Sequence, residues 1–194
     1  MSAALRPPPM TLAEFLAWEE RQELRHEFDG FAPVAMTGGT AEHSAIAVNL
    51  AAALRPRLGH GPCRFFNSDM KLLTAEGTSR YPDGMVVCSP VPRGSTSVAE
   101  PVVVFEVLSP TTAEVDRVEK ADEYRATPSV RRYVLLEQRL VAATVFTREA
   151  DGDWVARLLR GEGATLRMPE IGVEVPLAEL YEGVDLGADP VPGG

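Results

Sequence analysis

The run Val102-Val103-Val104-Phe105-Glu106-Val107-Leu108 leaves few choices of fold. A short, unbroken apolar stretch rich in Val is a strand covered on both faces, the kind found at the centre of an α/β sheet. Glu106 is its one interruption. A lone carboxylate in such surroundings is strongly disfavoured unless it is paired or binds a metal. Glu106 therefore lies near the strand's end, holds a salt bridge, or ligates a cation.

Two further residues bear on that choice. Asp83 stands in Tyr81-Pro82-Asp83-Gly84. Pro-Asp-Gly is ordinary turn chemistry, because Pro presets φ and Gly accepts positive φ. The apolar residues Met85 to Cys88 that follow also let Asp83 open a strand, one able to pair with the Glu106 strand. Lys120 draws notice through composition: of 19 basic residues only Lys71 and Lys120 are lysines. Lys is a compact point charge that Arg does not replace in a tight pocket. Lys71 competes for any lysine role, since Asp69, Lys71 and Leu73 share one face of a predicted strand.

The residues Pro82-Asp83, Glu106-Val107-Leu108-Ser109-Pro110-Thr111 and Asp116-x-x-x-Lys120-x-x-x-Tyr124 resemble the PD-(D/E)XK nuclease superfamily, and within it the Uma-two family of restriction-endonuclease-type proteins. The likeness extends to His26-Glu27, Met36, His43, Ser68 to Lys71, Arg131 to Val134 and Leu180-Tyr181, about residues 10 to 186. One position departs from the superfamily: Leu108 stands where its lysine belongs, and Lys120 on the following helix takes that place, as in the Uma-two branch.

The resemblance implies a restriction-endonuclease-like fold, a mixed β-sheet core flanked by helices. It implies a metal-dependent DNA endonuclease with Asp83, Glu106 and Lys120 as catalytic residues. Mg2+ or Mn2+ would be held by Asp83, Glu106 and the backbone carbonyl of Val107, with waters completing the shell. Glu27, His43, Lys71 and Tyr124 are candidates for supporting roles. Taken by themselves, Glu27 reads first as a surface strand residue, and His43 as a helix-start histidine bonded to backbone.

Charge runs against this partner. The chain carries a formal charge of −9, and duplex DNA repels an acidic protein that lacks a basic stripe. Arg55, Arg57 and Arg64, and Arg131 with Arg132, are weak candidates for one. Two alternatives stay open: a nuclease fold without catalysis that serves as a binding module, and a phosphodiesterase for RNA or small phosphoesters. A homodimer is expected by analogy with enzymes that cut two strands. Cys63 and Cys88 have no metal-ligand spacing and read as small core thiols of a reduced, cytoplasmic protein. No apolar run spans a membrane.

The remaining elements follow from local chemistry. Residues 1–10 are expected to be a flexible lead-in, 11–186 one nuclease-like domain and 187–194 a flexible tail. Thr11 and Glu14 form a capping box for a helix to about Glu20. Asp29-Gly30 turns a hairpin between Leu24 and Met36. A helix from Ala41 to about Leu54 buries Ile46, Leu50, Ala53 and Leu54. Thr111 and Glu114 cap a second helix, continuous to about Ala126. Strands follow over 133–137, 142–147 and 154–159, and a short segment at 177–181 closes the chain.

Overall fold

This computed structural model describes residues 10–109 and 113–187. Residues 1–9 of the expected lead-in at 1–10, most of the expected tail and the Thr111 cap lie outside the described residues. In chain order the elements are α1 (Leu12–Glu19), β1 (His26–Phe28), β2 (Pro33–Ala35), α2 (Ala41–Leu58), β3 (Arg64–Asn67), β4 (Lys71–Leu73), β5 (Ser79–Arg80), β6 (Gly84–Val87) and β7 (Ser97–Val98). Then come β8 (Pro101–Val107), α3 (Ala113–Arg117), α4 (Glu119–Ala126), β9 (Arg132–Leu136), β10 (Ala142–Arg148), β11 (Trp154–Arg160), β12 (Thr165–Met168), a 3-10 turn (Pro169–Ile171), β13 (Val173–Pro176) and α5 (Leu177–Leu180).

The apolar run becomes β8, inside a six-stranded sheet of order β11-β10-β9-β8-β6-β3. Its neighbours differ in sense: β6 is antiparallel, with Gly84 opposite Phe105, and β9 is parallel, with Glu106 opposite Leu135. A parallel neighbour needs a crossover, and α3 with α4 supplies it. Alternation along β8 then sorts its side chains. Val103, Phe105 and Val107 enter a core built on Ile46, Leu50 and Leu54 of α2, Val134 and Leu136 of β9, and residues of β12, β13 and α5. Val104 and Leu108 enter a second core with Ala121 and Tyr124 of α4 and Tyr133 and Leu135 of β9. Glu106 has the parity of Val104 and Leu108, so it faces α4.

A second sheet, order β2-β1-β5-β4-β7, carries the hairpin at Asp29-Gly30. Gly30 sits at φ 90, and Asp29 Oδ1 accepts from the amides of Phe31 and Ala32. The α1 capping box forms as expected.

Several expectations need correction. Gly84 has no positive φ; it opens β6, and a Cβ there would lie 2.8 Å from the Phe65 ring and 3.0 Å from Leu50. Its bareness lets α2 and β3 close onto the strand beside Asp83. Helix α2 runs through Pro56 to Leu58. The helix after Ser109 is not continuous: α3 and α4 are separated at Val118. Cys63 and Cys88 are not thiols but a disulfide. The β3–β6 register pairs Arg64 with Val87, so Cys63, just before Arg64, faces Cys88, just after Val87. With no free cysteine among the described residues, the inference of a reduced compartment loses its premise. Among these residues no helix is long and apolar enough to cross a membrane.

Candidate active site

Asp83 directly precedes β6 and Glu106 lies one residue before the end of β8, so antiparallel pairing sets them side by side. Each side chain holds a backbone amide of the other's segment. Asp83 Oδ2 accepts from the Val107 amide at 2.7 Å, and Glu106 Oε2 accepts from the Asp83 amide at 3.4 Å. Glu106 is 3 % exposed.

The charge that meets it comes from α4. Lys120 Nζ donates to Glu106 Oε1 at 3.1 Å, and Tyr124 OH donates to the same oxygen at 3.0 Å. Residues four apart share a helix face, which is why both reach one acceptor. Two more carboxylates close on the ammonium: Asp116 Oδ1 at 3.1 Å and Glu27 Oε1 at 3.3 Å. Tyr133 OH anchors the end of α3 by donating to the Asp116 carbonyl at 2.8 Å.

Glu27 is no surface residue. Its Oε1 accepts from the Tyr81 amide at 3.0 Å, and its Oε2 pairs with Arg80 at 3.3 Å. Arg80, 2 % exposed, also makes a two-pronged pair with Glu123 of α4. One guanidinium thus ties the hairpin carrying Glu27 to the helix carrying Lys120. Only a planar fork serves two partners in this way.

His43 is the residue α2 contributes. Its Nε2 lies 3.1 Å from Asp83 Oδ2. Thr40 caps the helix through the His43 amide, and a Cβ on Gly39 would come within 2.8 Å of His43 Nδ1. Glycine is required where the imidazole lies. Lys71, the rival lysine, is elsewhere: Nζ donates to Glu19 Oε2 at 2.6 Å, and Tyr81 OH donates to Glu19 Oε1 at 2.6 Å. It lies outside the cavity that Asp83, Glu106 and Lys120 line.

Protonation follows from this crowding. Burial pushes the Glu106 carboxyl well above the usual range, and the nearby acids Asp116, Asp83 and Glu27 add to the push against Lys120. Burial would lower Lys120, but Glu106, Glu27 and Asp116 together hold it above the ordinary lysine value. Burial opposes ionisation of Glu27 too; Lys120, the Tyr81 amide and Arg80 outweigh it and hold the carboxyl down. The hydrogen bond to Asp83 raises His43. One ammonium faces three carboxyl groups, and burial makes Glu106 hard to ionise beside it. Asp116 Oδ1 makes no hydrogen bond despite its closeness to Lys120.

The structure thus brings together Asp83, Glu106, Val107, Lys120, Tyr124, His43 and Glu27 and leaves Lys71 apart. Sequence reasoning missed Arg80 and the role of Asp116. Asp116, four residues before Lys120, carried a readable signal, although it stands on α3 and the lysine on α4; Arg80 carried none.

Residues 12–178 match the family model Uma2, described as putative restriction endonuclease. Two uncharacterized proteins of Synechocystis sp. are similar over most of their length. Protein slr1290 is 34% identical over 180 residues, 91% of this chain and 94% of its own. Protein sll1609 is 30% identical over 161 residues, 81% of this chain and 91% of its own. The crystal structure of a putative nuclease belonging to DUF820, from Anabaena variabilis, superposes with a TM-score of 0.74. It covers 90% of this chain and 98% of that one at 17% identity, a likeness of fold, and the mixed α/β core is therefore nuclease-like.

Proposed function

The chain belongs to the Uma2 family of putative restriction endonucleases, and we propose that it is a divalent-metal-dependent nuclease hydrolysing phosphodiester bonds of DNA at Asp83 and Glu106. The observation that carries this reading is the placement of those two acids on adjoining strands with Lys120 Nζ 3.1 Å from Glu106.

The donor set fits a hard cation. Glu27, Glu106 and Asp116 surround one ammonium with Asp83 beside Glu106, so the cluster is short of positive charge, and Asp116 Oδ1 is left without a hydrogen bond. Among the described residues no three His, Cys, Asp or Glu side chains form a ready metal cage. Mg2+ does not require one, because it is held by one or two carboxylates and keeps several waters. Asp83 and Glu106, with the Val107 carbonyl, would hold Mg2+ or Mn2+. Bound there, the ion would polarise a phosphoryl oxygen and acidify a water.

The chain's own groups do the rest. Lys120, kept protonated by three carboxylates, presents a fixed positive charge where negative charge develops on the phosphate. Glu27 and Asp116 restrain that ammonium, and the Tyr124 hydroxyl fixes the Glu106 carboxyl. His43 and the Val107 amide fix the carboxylate of Asp83. The lysine absent from the Leu108 position is thus replaced from the helix.

The test is cleavage of plasmid, linear duplex, single-stranded DNA and RNA with Mg2+, with Mn2+ and with EDTA. Metal-dependent cleavage of DNA is expected, reduced at least about a hundredfold in Asp83→Asn and Glu106→Gln. Cleavage that survives both substitutions, or no cleavage of any nucleic acid, refutes the reading.

A further inference from the structure

The cavity over these residues has a volume of about 700 Å³, the size of a small-ligand site. Its charge is lopsided. Glu27, Asp29, Asp83, Glu106, Asp116 and Glu119 line it, against Arg80 and Lys120 with His43. Each of these basic groups is already paired: Arg80 with Glu123 and Glu27, Lys120 with Glu27, Glu106 and Asp116, His43 with Asp83. Six carboxylates against two fixed cations leave the lining negative. One divalent ion, or a proton on Glu106 in addition, reduces the excess without changing its sign. The chain as a whole adds a formal charge of −9.

Duplex DNA carries one negative charge per about 1.7 Å of axis and is gripped by unpaired Lys and Arg that displace its counterions. Among the described residues lining this cavity there is no such group. A single phosphodiester needs only the one cation. Part of the lining is apolar: Val34, Ala35 and Met36, from β2 and the residue after it, with Val34 45% exposed. An apolar wall suits the face of an unpaired base, which a duplex hides by stacking and a single strand offers without regard to sequence.

Resting on the nuclease reading above, we propose that the site takes unpaired DNA, a strand end or a flap, one phosphodiester at a time, and does not grip a duplex backbone. The base beside the scissile phosphate lies against Val34 and Met36, and the phosphate meets Asp83, Glu106 and Lys120.

The experiment compares kcat/KM of the full chain with Mn2+ on a thymidine dinucleotide, a labelled single strand, the same sequence as blunt duplex, and that duplex with a flap. Each is run from about 50 to 200 mM salt. Single strand and flap should be cut at least tenfold better than blunt duplex. The slope of log kcat/KM against log salt should be shallower than about −1, since it scales with the phosphates neutralised. Val34→Asp should raise KM for the single strand severalfold, a larger change than in kcat/KM for bis(4-nitrophenyl) phosphate, and an unchanged KM for the single strand overturns the placement of the base. Equal or better cleavage of blunt duplex, or a slope of about −3 or steeper, overturns the proposal and leaves the nuclease reading intact. No cleavage of any of these, the small diester included, overturns both.

Discussion

Lys120→Met removes one charge and keeps most of the stem. Lys120 is 6 % exposed, and its ammonium lies within 3.3 Å of Glu27, Glu106 and Asp116. Removing one partner from a buried ionic cluster costs about 3–5 kcal/mol, because the partners left behind stay buried and uncompensated. For a chain of this length each kcal/mol moves Tm by about 2–4 °C, so Tm should fall by roughly 6–20 °C at neutral pH. The pH dependence has a definite sign. The folded Lys120 value is raised, so the lysine's contribution is fully present below the ordinary lysine pKa and is lost only as pH rises through the higher folded value. In the variant the strain sits on carboxylates, which protonation relieves, so the gap to wild type should narrow as pH falls toward about 4. Mn2+ should restore part of the lost Tm by binding the folded state. Circular-dichroism melts in EDTA near neutral and acid pH, then with Mn2+, measure all of this. A loss below about 1 kcal/mol, or a gap that widens on acidification, refutes the account of Lys120 as the cluster's counterion. Cleavage should fall at least about a hundredfold, and Lys120→Arg should not restore it, because a forked guanidinium cannot occupy the same point.

Lys71→Met should lower Tm by breaking the buried pair with Glu19, while cleavage of small diesters at a temperature where the variant is folded stays within a few-fold of wild type; an inactive, folded variant would show that this lysine serves catalysis. Gly84→Ala should cost about 1–3 kcal/mol, since its Cβ must push the Phe65 ring and Leu50 aside, and a melt at the wild-type Tm would show that the contact yields freely. A light-scattering mass of twice 21.0 kDa would support the expected homodimer, and a mass at 21.0 kDa at micromolar concentration would remove it.

Much of this architecture is local and therefore readable. Thr11 with Glu14 and Asp29 with Gly30 carry their own geometry, and an unbroken Val-rich run can be little else than a central strand. Glu106 stood out because one charge interrupted that run, and Lys120 because lysine is scarce. Glu27 was misjudged because its partners, Tyr81, Arg80 and Lys120, are all more than fifty residues away. Arg80 looked like one arginine among many. The Cys63–Cys88 bridge depends on strand register, which a separation of 25 residues does not reveal. The β12–β13 hairpin went unread, although Leu166 and Met168, then Val173 and Val175, alternate and are buried, with Gly172 at φ 68 between the strands. The break at Val118 has no Gly, Pro or cap to announce it.

Placing the Lys120 ammonium on α4 and not on β8 separates two duties that one strand would otherwise share. Position 108 is released to the core, where Leu108 is buried. The two acids keep a separation set by strand pairing, which is stiff, whereas the lysine keeps a distance set by how a helix seats on a sheet. That seating rests on Glu123 with Arg80, Tyr133 with the Asp116 carbonyl, and Tyr124 with Glu106. Any binder that levers the helix by an ångström or two would uncouple the ammonium while leaving the acids in register. A throttle of this kind, acting from the outer side of the helix, is open to this arrangement and closed to one whose lysine is woven into the strand.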